Sequence, residues 1–91
     1  MVVCTHPAIR ATILRLVNSR SQWKATAADS FNEAYQLGSK YSFDLVLIGA
    51  GLSDKEEAWL ISRLTEVKCI RHYGGGSGLL YAEIEGALSQ T

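Results

Sequence analysis

The chain is poor in cysteine and has no excess of charge of either sign. Two cysteines among 91 residues are too few for the disulfide framework that stabilises small secreted domains. Nine basic and nine acidic residues cancel, so the chain lacks the basic surface with which proteins bind nucleic acid or anionic lipid. We therefore expect neither a nucleic-acid partner nor a membrane partner.

Long hydrophobic runs are also missing. The longest apolar stretch, Leu45 to Leu52, is far shorter than the roughly 20 residues that span a bilayer. The first residues contain no basic segment followed by an apolar core, which is the pattern of a secretory signal. These absences predict a soluble cytoplasmic protein. Hydrophobic residues make up 47% of the chain, enough for the core of a single domain over residues 1–91.

Apolar segments of two periodicities alternate along the chain. Short continuous runs predict strands at Met1–Thr5, Trp23–Ala28, Asp44–Ile48 and Val67–Tyr73. Apolar residues at helical spacing predict helices at Pro7–Asn18, Phe31–Tyr41, Asp54–Glu66 and in the last segment, where the spacing of Leu80, Ile84 and Leu88 favours a helix over an antiparallel strand at Gly78–Ala82. This alternation predicts an α/β fold, a doubly wound parallel sheet with helices on both faces.

Local signals refine two of the helices. Ser30 and Ser53 are each followed three residues later by a glutamate, which is the pattern of a capping box at a helix N-terminus. In the third helix, the spacing of Ala58, Ile61 and Leu64 predicts the face that packs on the core.

Four segments, in order, resemble the CheY-like receiver domain of bacterial response regulators. They are VVCTHPAIRATILRLVNS, Trp23–Leu37, FDLVLIGAGLSDKEEAWLISRL and GSGLLYAEIEGAL. His6 and Pro7 match a His-Pro pair that is common in receivers joined to a helix-turn-helix output domain. The resemblance implies a flavodoxin-like, CheY-like fold, shortened to about four strands in the order 2-1-3-4.

The residues that carry the family's phosphotransfer chemistry are absent from these segments. The acidic pair that binds Mg²⁺ in receivers falls on Cys4 and Thr5, and the phosphoacceptor aspartate falls on Gly49. Phosphoryl transfer at this place needs a carboxylate nucleophile and a metal ion, and neither a thiol nor a hydroxyl is the carboxylate ligand that Mg²⁺ prefers. The resemblance therefore implies a degenerate, or pseudo-, receiver without catalytic residues, a cofactor or enzyme activity.

A pseudo-receiver has to work by contact with other proteins. We expect a protein-interaction or dimerisation module in signal transduction by a two-component system, with an unidentified regulator or kinase-pathway component as partner. The chain lacks the helix that separates the last two strands of a receiver, which leaves the fourth strand as a thinly covered edge. Because exposed edges favour pairing, a homodimer through that edge or through the last helix is expected.

An alternative hypothesis places a small-anion or phosphate site at the carboxyl end of the sheet. Cys4 and Arg10 have the Cys-x5-Arg spacing of cysteine phosphatases, in which a thiolate attacks phosphorus and the arginine holds the oxyanion. A glycine-rich tract before the last helix supplies backbone N–H groups that favour an anion. The residues of this tract are Gly74, Gly75, Gly76 and Ser77.

The remaining polar candidates have simpler explanations. His6 and His72 fall near the same end of the sheet as Cys4, but no close ligand spacing supports a metal site. Cys4 and Cys69 lie inside apolar runs, where a thiol acts as a small hydrophobic group. We expect no bound metal and two buried cysteines.

Overall fold

The computed structural model describes residues 1–72 and 76–89, in which strands and helices alternate. The strands are β1 (Val2–Val3), β2 (Ala27–Ala28), β3 (Leu45–Ile48) and β4 (Lys68–Arg71). The helices are α1 (Pro7–Asn18), α2 (Phe31–Lys40), α3 (Asp54–Arg63) and α4 (Ser77–Ser89). No helix within the described ranges is long and apolar enough to cross a membrane.

The four strands form one parallel sheet in the order β2-β1-β3-β4. β3 and β4 pair in register from Leu45 opposite Lys68 to Ile48 opposite Arg71. α2 and α3 pack on one face of this sheet, and α1 and α4 pack on the other. The topology confirms the predicted shortened flavodoxin-like fold.

Alternation of side chains along β3 divides the core into two layers. Val46 and Ile48 lie in the layer under α2 and α3, whereas Leu45 and Leu47 lie in the layer under α1 and α4. Both faces of β3 are therefore apolar, as expected for the central strand of a parallel sheet. The helical side chains buried over the two layers are Ala34, Leu60 and Leu64 in the first, and Ile13, Val17, Leu80 and Ile84 in the second.

The edge strand β2 is much shorter than the sequence predicts. The prediction covers Trp23–Ala28, but the Trp23 N–H donates to the Arg20 carbonyl oxygen at 3.1 Å, within a turn. The Ala25 N–H donates to the side-chain oxygen of Asn18 at 2.7 Å. Residues at and just after the end of α1 hold these groups, so the strand is confined to Ala27–Ala28. The Thr26 carbonyl oxygen, just before it, still accepts from the Val2 N–H at 2.8 Å. The other three strands are also shorter than predicted.

The face that α3 presents to the core is shifted from the predicted one, although the predicted Ile61 still packs against the core. Ala58 is exposed, whereas Leu60 has no exposed surface and Glu57 is only 5% exposed. Burial of leucine is worth more than burial of alanine because more apolar surface leaves water. Glu57 is buried beside the guanidinium of Arg71 on β4, which compensates its charge. Of the predicted face, Leu64 is buried at the end of the helix.

The capping signals are confirmed, with one difference between the two helices. Ser53 and Glu56 form a complete capping box at the start of α3. Ser30 accepts a hydrogen bond from the Glu33 N–H at 3.1 Å, but the Glu33 carboxylate accepts from Asp29 rather than from Ser30. The last segment is helical from Ser77, so the alternative of an antiparallel strand over residues 78–82 is excluded.

Candidate functional site

The carboxyl end of the sheet brings together the residues that the sequence resemblance aligns with the receiver site. Cys4 and Thr5 follow β1, Gly49 follows β3, and His72 follows β4. The Gly49 N–H donates to the Val3 carbonyl oxygen at 2.8 Å, so β1 and β3 stay paired up to this point. Ligands of doubly wound folds bind outside this end of the sheet. A ligand-binding site is therefore expected here.

The space beside Gly49 is occupied by Cys4. A Cβ atom built on Gly49 would lie 3.2 Å from the Cβ and 3.4 Å from the Sγ of Cys4, and 3.6 Å from the Cδ1 of Ile13. Cys4 itself has no exposed surface. The space beside Gly49, where the sequence resemblance expects the phosphoacceptor position, is thus filled with apolar and thiol groups, and a larger residue fits there only if Cys4 moves.

Thr5 closes the loop that follows β3. Gly51 has a φ of 110°, in the region that favours glycine, and a Cβ atom built on it would collide with the Thr5 side chain. The Thr5 N–H donates to the Ala50 carbonyl oxygen at 3.3 Å, which holds the loop against β1. Thr5 is exposed, and its side chain packs against Gly51 at the rim of the carboxyl end.

Arg10 lies close to Cys4 but does not face an open anion site. Its Nη1 donates to the Cys4 carbonyl oxygen at 2.9 Å, and the Cys4 Sγ lies 3.6 Å from the His6 carbonyl oxygen. The structure thus brings Cys4 and Arg10 together. The guanidinium binds the Cys4 carbonyl oxygen, and the thiol is buried. A dissolved phosphate ester does not reach a thiol without exposed surface.

The glycine-rich tract is only partly described. Gly74 and Gly75 lie outside the described residues. Gly76 and Ser77 are exposed, and α4 begins at Ser77. The Gly76 carbonyl oxygen accepts from the Leu80 N–H at 3.2 Å, which is an ordinary contact at a helix start.

The two histidines have separate structural partners. His6 is the N-cap of α1, and its Nδ1 accepts from the Ile9 N–H at 3.3 Å. His72 is 7% exposed, and its Nδ1 lies 2.7 Å from a carboxylate oxygen of Glu83 on α4. Residues 1–72 and 76–89 contain no group of three histidine, cysteine or acidic side chains that could hold a metal ion.

The thiols differ in their surroundings. Cys4 is fully buried, as predicted, but Cys69 is only half-buried on β4. Burial raises the pKa of the Cys69 thiol, and the nearby amino group of Met1 opposes that rise. Neither thiol has the environment of an exposed, activated thiolate.

The amino end of the sheet carries an open groove of about 650 Å³ that the sequence analysis did not single out. Aromatic residues near the strand starts, Trp23, Tyr41 and Phe43, line it together with Asp44. The Met1 ammonium donates to the Leu45 carbonyl oxygen at 2.8 Å. Desolvation lowers the pKa of this amino group to about 6, although Asp44 opposes the change. The aromatic residues were the only sequence signal for this groove.

The outer edge of β4 is the other open feature. The His72 N–H donates to the Ile48 carbonyl oxygen at 2.8 Å, so it points toward β3. Because backbone groups of successive strand residues point in opposite directions, Lys68 and Ile70 also face β3. The backbone N–H and C=O groups of Cys69 and Arg71 therefore face outward, on the side where the described residues contain no further strand.

A shallow groove of about 270 Å³ runs between the β4 edge and α4. Small residues of α4 form its helical side, and a Cβ atom built on Gly86 would meet nothing within 4 Å. Both signs of charge occur along it. The lining residues are Lys68, Ile70, Ala82, Glu83, Gly86 and Ala87.

Comparisons with protein-family models, curated proteins and solved structures find no match to this chain. The fold class follows from the strand order and the helices on both faces. Because one fold hosts many functions, the strand order alone does not define the function of this chain.

Proposed function

We propose that this chain is a non-phosphorylatable, receiver-like module of bacterial signalling that acts in the cytoplasm by binding another protein chain. The observation that carries the proposal is the closed carboxyl end of the sheet, where Cys4 fills the space beside Gly49 and Thr5 closes over Gly51. Phosphoryl transfer at that end needs a carboxylate and a metal ion. Without them, contact with another chain is the function that the remaining surface supports best.

The β4 edge supports the binding part of the proposal. Cys69 and Arg71 direct backbone donors and acceptors outward, and such groups pair readily with an added strand. The opposite edge strand, β2, has only two residues, and Ala28 in it has no exposed surface. The two edges of the sheet are thus unequal, and β4 is the one that offers a surface for a partner such as a regulator or a kinase-pathway component.

The direct test is exposure of the chain to radiolabelled acetyl phosphate with Mg²⁺, beside a phosphorylatable receiver as positive control. We expect no label on this chain, because the position of the phosphoacceptor is a glycine in a filled space. Label that resists hydroxylamine would belong to some other group, whereas hydroxylamine-sensitive label on an aspartate would overturn the proposal.

The alternative function is a small-anion or phosphatase-like site built on Cys4, Arg10, Gly76 and Ser77. The short distance between Arg10 and the Cys4 backbone favours it, and the burial of the thiol disfavours it. Iodoacetamide labelling near neutral pH separates the two proposals. We expect Cys4 to react slowly in the folded chain and at an ordinary rate in urea, whereas fast labelling of folded Cys4 would support the anion site.

A further inference from the structure

We propose that the strand covering the β4 edge comes from a second copy of this chain, which pairs antiparallel to β4 around a two-fold axis beside Ile70. The inference rests on the proposed function and names the partner of the surface described there.

The direction of the backbone groups restricts the register. In an antiparallel pair, two outward-facing residues oppose each other and exchange both N–H···O bonds. A two-fold pairing that uses all the outward groups of β4 places Cys69 opposite Arg71 of the second copy, and Ile70 opposite Ile70. Pairing Cys69 with Cys69, or Arg71 with Arg71, leaves the other outward residue without a partner in β4. The first register is therefore favoured.

The side chains on the α4 side of the sheet suit this register. Ile70 packs with the layer under α1 and α4, so Lys68, Ile70 and His72 all lie on that side. In the paired dimer the two Ile70 side chains meet at the axis, where opposed residues without mutual hydrogen bonds approach most closely. An apolar contact thus lies at the centre of the interface.

Charge complementarity favours the same arrangement. The register places Lys68 opposite His72 of the second copy. His72 lies 2.7 Å from the Glu83 carboxylate of its own chain. The Lys68 ammonium of each copy is thereby brought toward the Glu83 carboxylate of the other, one such pair on each side of the axis. Opposite charges at the rim of an interface favour the correct register over others.

The surface of α4 leaves space for the added strand. Gly86 and Ala82 line the groove beside β4, and a side chain on Gly86 would project into open space. Leu79 precedes Glu83 by one helical turn on the same side of α4 and is 54% exposed. A second copy would bring its own Ile70 beside this groove and a second α4 near the exposed leucine, which removes apolar surface from water.

The primary experiment is sedimentation velocity over a range of protein concentrations with a matched pair of variants. Gly86→Arg fills the groove, and Ala11→Arg places the same side chain at an exposed position on α1 that does not line the groove. We expect wild type and Ala11→Arg to dimerise with similar affinity, and Gly86→Arg to dimerise at least about tenfold more weakly. Circular dichroism should show all three folded. A monomer at every concentration for the wild type, or equal dimerisation of both variants, would overturn the inference.

A second variant tests the backbone pairing itself. Cys69→Pro removes an outward-facing donor at a position where an edge strand tolerates proline. The loss acts twice in a symmetric dimer, so we expect dimerisation to weaken by about tenfold or more while the monomer stays folded. Unchanged dimerisation of folded Cys69→Pro would place the interface elsewhere. If this variant does not fold, the two arginine variants test whether the dimer forms through the β4 edge.

Disulfide formation under copper phenanthroline tests the register. In the proposed register Ile70 faces Ile70 with Cα atoms about 4.5 Å apart, within the range of a disulfide, whereas the two Cys69 residues are diagonal and about 7–8 Å apart. We expect Ile70→Cys in a Cys69→Ala background to cross-link rapidly and native Cys69 to cross-link slowly. The opposite order would contradict this register.

The outcomes separate this inference from the proposed function. A chain that takes no label from acetyl phosphate but stays monomeric would overturn the homodimer and leave the interaction module standing. A chain that takes label on an aspartate would overturn the module, whatever its oligomeric state.

Discussion

The two ends of the sheet are built in opposite ways. At the carboxyl end, Cys4 fills the space beside Gly49, and Thr5 packs over Gly51. At the amino end, the strands start around an open groove of about 650 Å³ with aromatic walls. Ligands of doubly wound folds bind at the carboxyl end. In this chain, packed side chains occupy the space beside Gly49 at that end. The comparison shows that side chains fill the space beside Gly49 at one end of the sheet, whereas the other end keeps an open groove.

The largest effect is expected from placing an aspartate beside Cys4 at the carboxyl end. Gly49→Asp forces a carboxylate against the buried thiol of Cys4 and should lower the free energy of unfolding by about 4 kcal/mol, since a buried charge without a partner is costly. Urea denaturation measures this loss. Gly49→Ala, the matched control, adds only a Cβ atom and should cost about 1 kcal/mol.

A rescue experiment sharpens the same prediction. Cys4→Ala in the Gly49→Asp background makes room beside the new carboxylate and should recover part of the lost stability. If Gly49→Asp is as stable as wild type without this rescue, the carboxyl end is not closed in the way described.

The next effect concerns the loop over Thr5. Gly51→Ala places a side chain at a φ of 110° and into Thr5, so we expect a loss of about 3 kcal/mol in the free energy of unfolding. The double variant Thr5→Ala, Gly51→Ala should recover the steric part of that loss and keep the backbone part. Equal free energies of unfolding for Gly51→Ala and wild type, measured by thermal or urea unfolding, would contradict the predicted collision.

The amino end of the sheet should make the stability of the chain depend on pH. In a chain that begins with a free Met1 amino group, burial lowers the pKa of that group from 8.0 to about 6. Between pH 6 and pH 8 the unfolded chain binds more protons than the folded one, so stability rises with pH in this window and is lost as pH falls toward 6. The total change is on the order of 2 kcal/mol.

Urea denaturation at several pH values measures this change, and the Nα-acetylated chain is the control. Acetylation removes the titrating amine, and the difference in pH dependence between the two chains should equal its contribution. Identical pH profiles for the free and acetylated chains would show that the amino group is not desolvated in the groove.

The smallest effects compare two helical glycines outside both ends of the sheet. A Cβ atom on Gly38 would lie 2.6 Å from the Leu64 Cδ2, whereas a Cβ atom on Gly86 would meet nothing within 4 Å. Gly38→Ala should therefore destabilise the chain by about 1 kcal/mol, and Gly86→Ala should stabilise it by about 1 kcal/mol through helix propensity. Differential scanning calorimetry compares them, and shifts in the same direction would contradict the packing of α2 against α3.

The sequence predicts the order of the elements well, because strand and helix periodicities are local properties. The lengths of the strands are harder to predict, because the Asn18 side chain at the end of α1 holds the residues before β2. The prediction of the buried face of α3 was wrong at Ala58 for a similar reason. The burial of Glu57 depends on Arg71, fourteen positions further along the chain.

The candidate site shows the same division between local and tertiary information. The absence of carboxylates at Cys4, Thr5 and Gly49 is visible in the sequence. The filling of their space is not, because it depends on the direction of the Cys4 side chain and on the φ of Gly51. The amino-end groove is assembled from four distant segments, and no single stretch of sequence carries its signal.

One measurement tests the closed carboxyl end most directly. Backbone amide shifts are followed by NMR while the chain is titrated with Mg²⁺ and beryllofluoride, which mimics a phosphoryl group on a receiver. We predict no saturable shifts for residues 4–6 and 49–53, because Cys4 fills the space beside Gly49 and positions 4, 5 and 49 carry no carboxylate. Saturable shifts confined to those residues would show that the carboxyl end still binds an anion, and would contradict the closed end on which the proposed function rests.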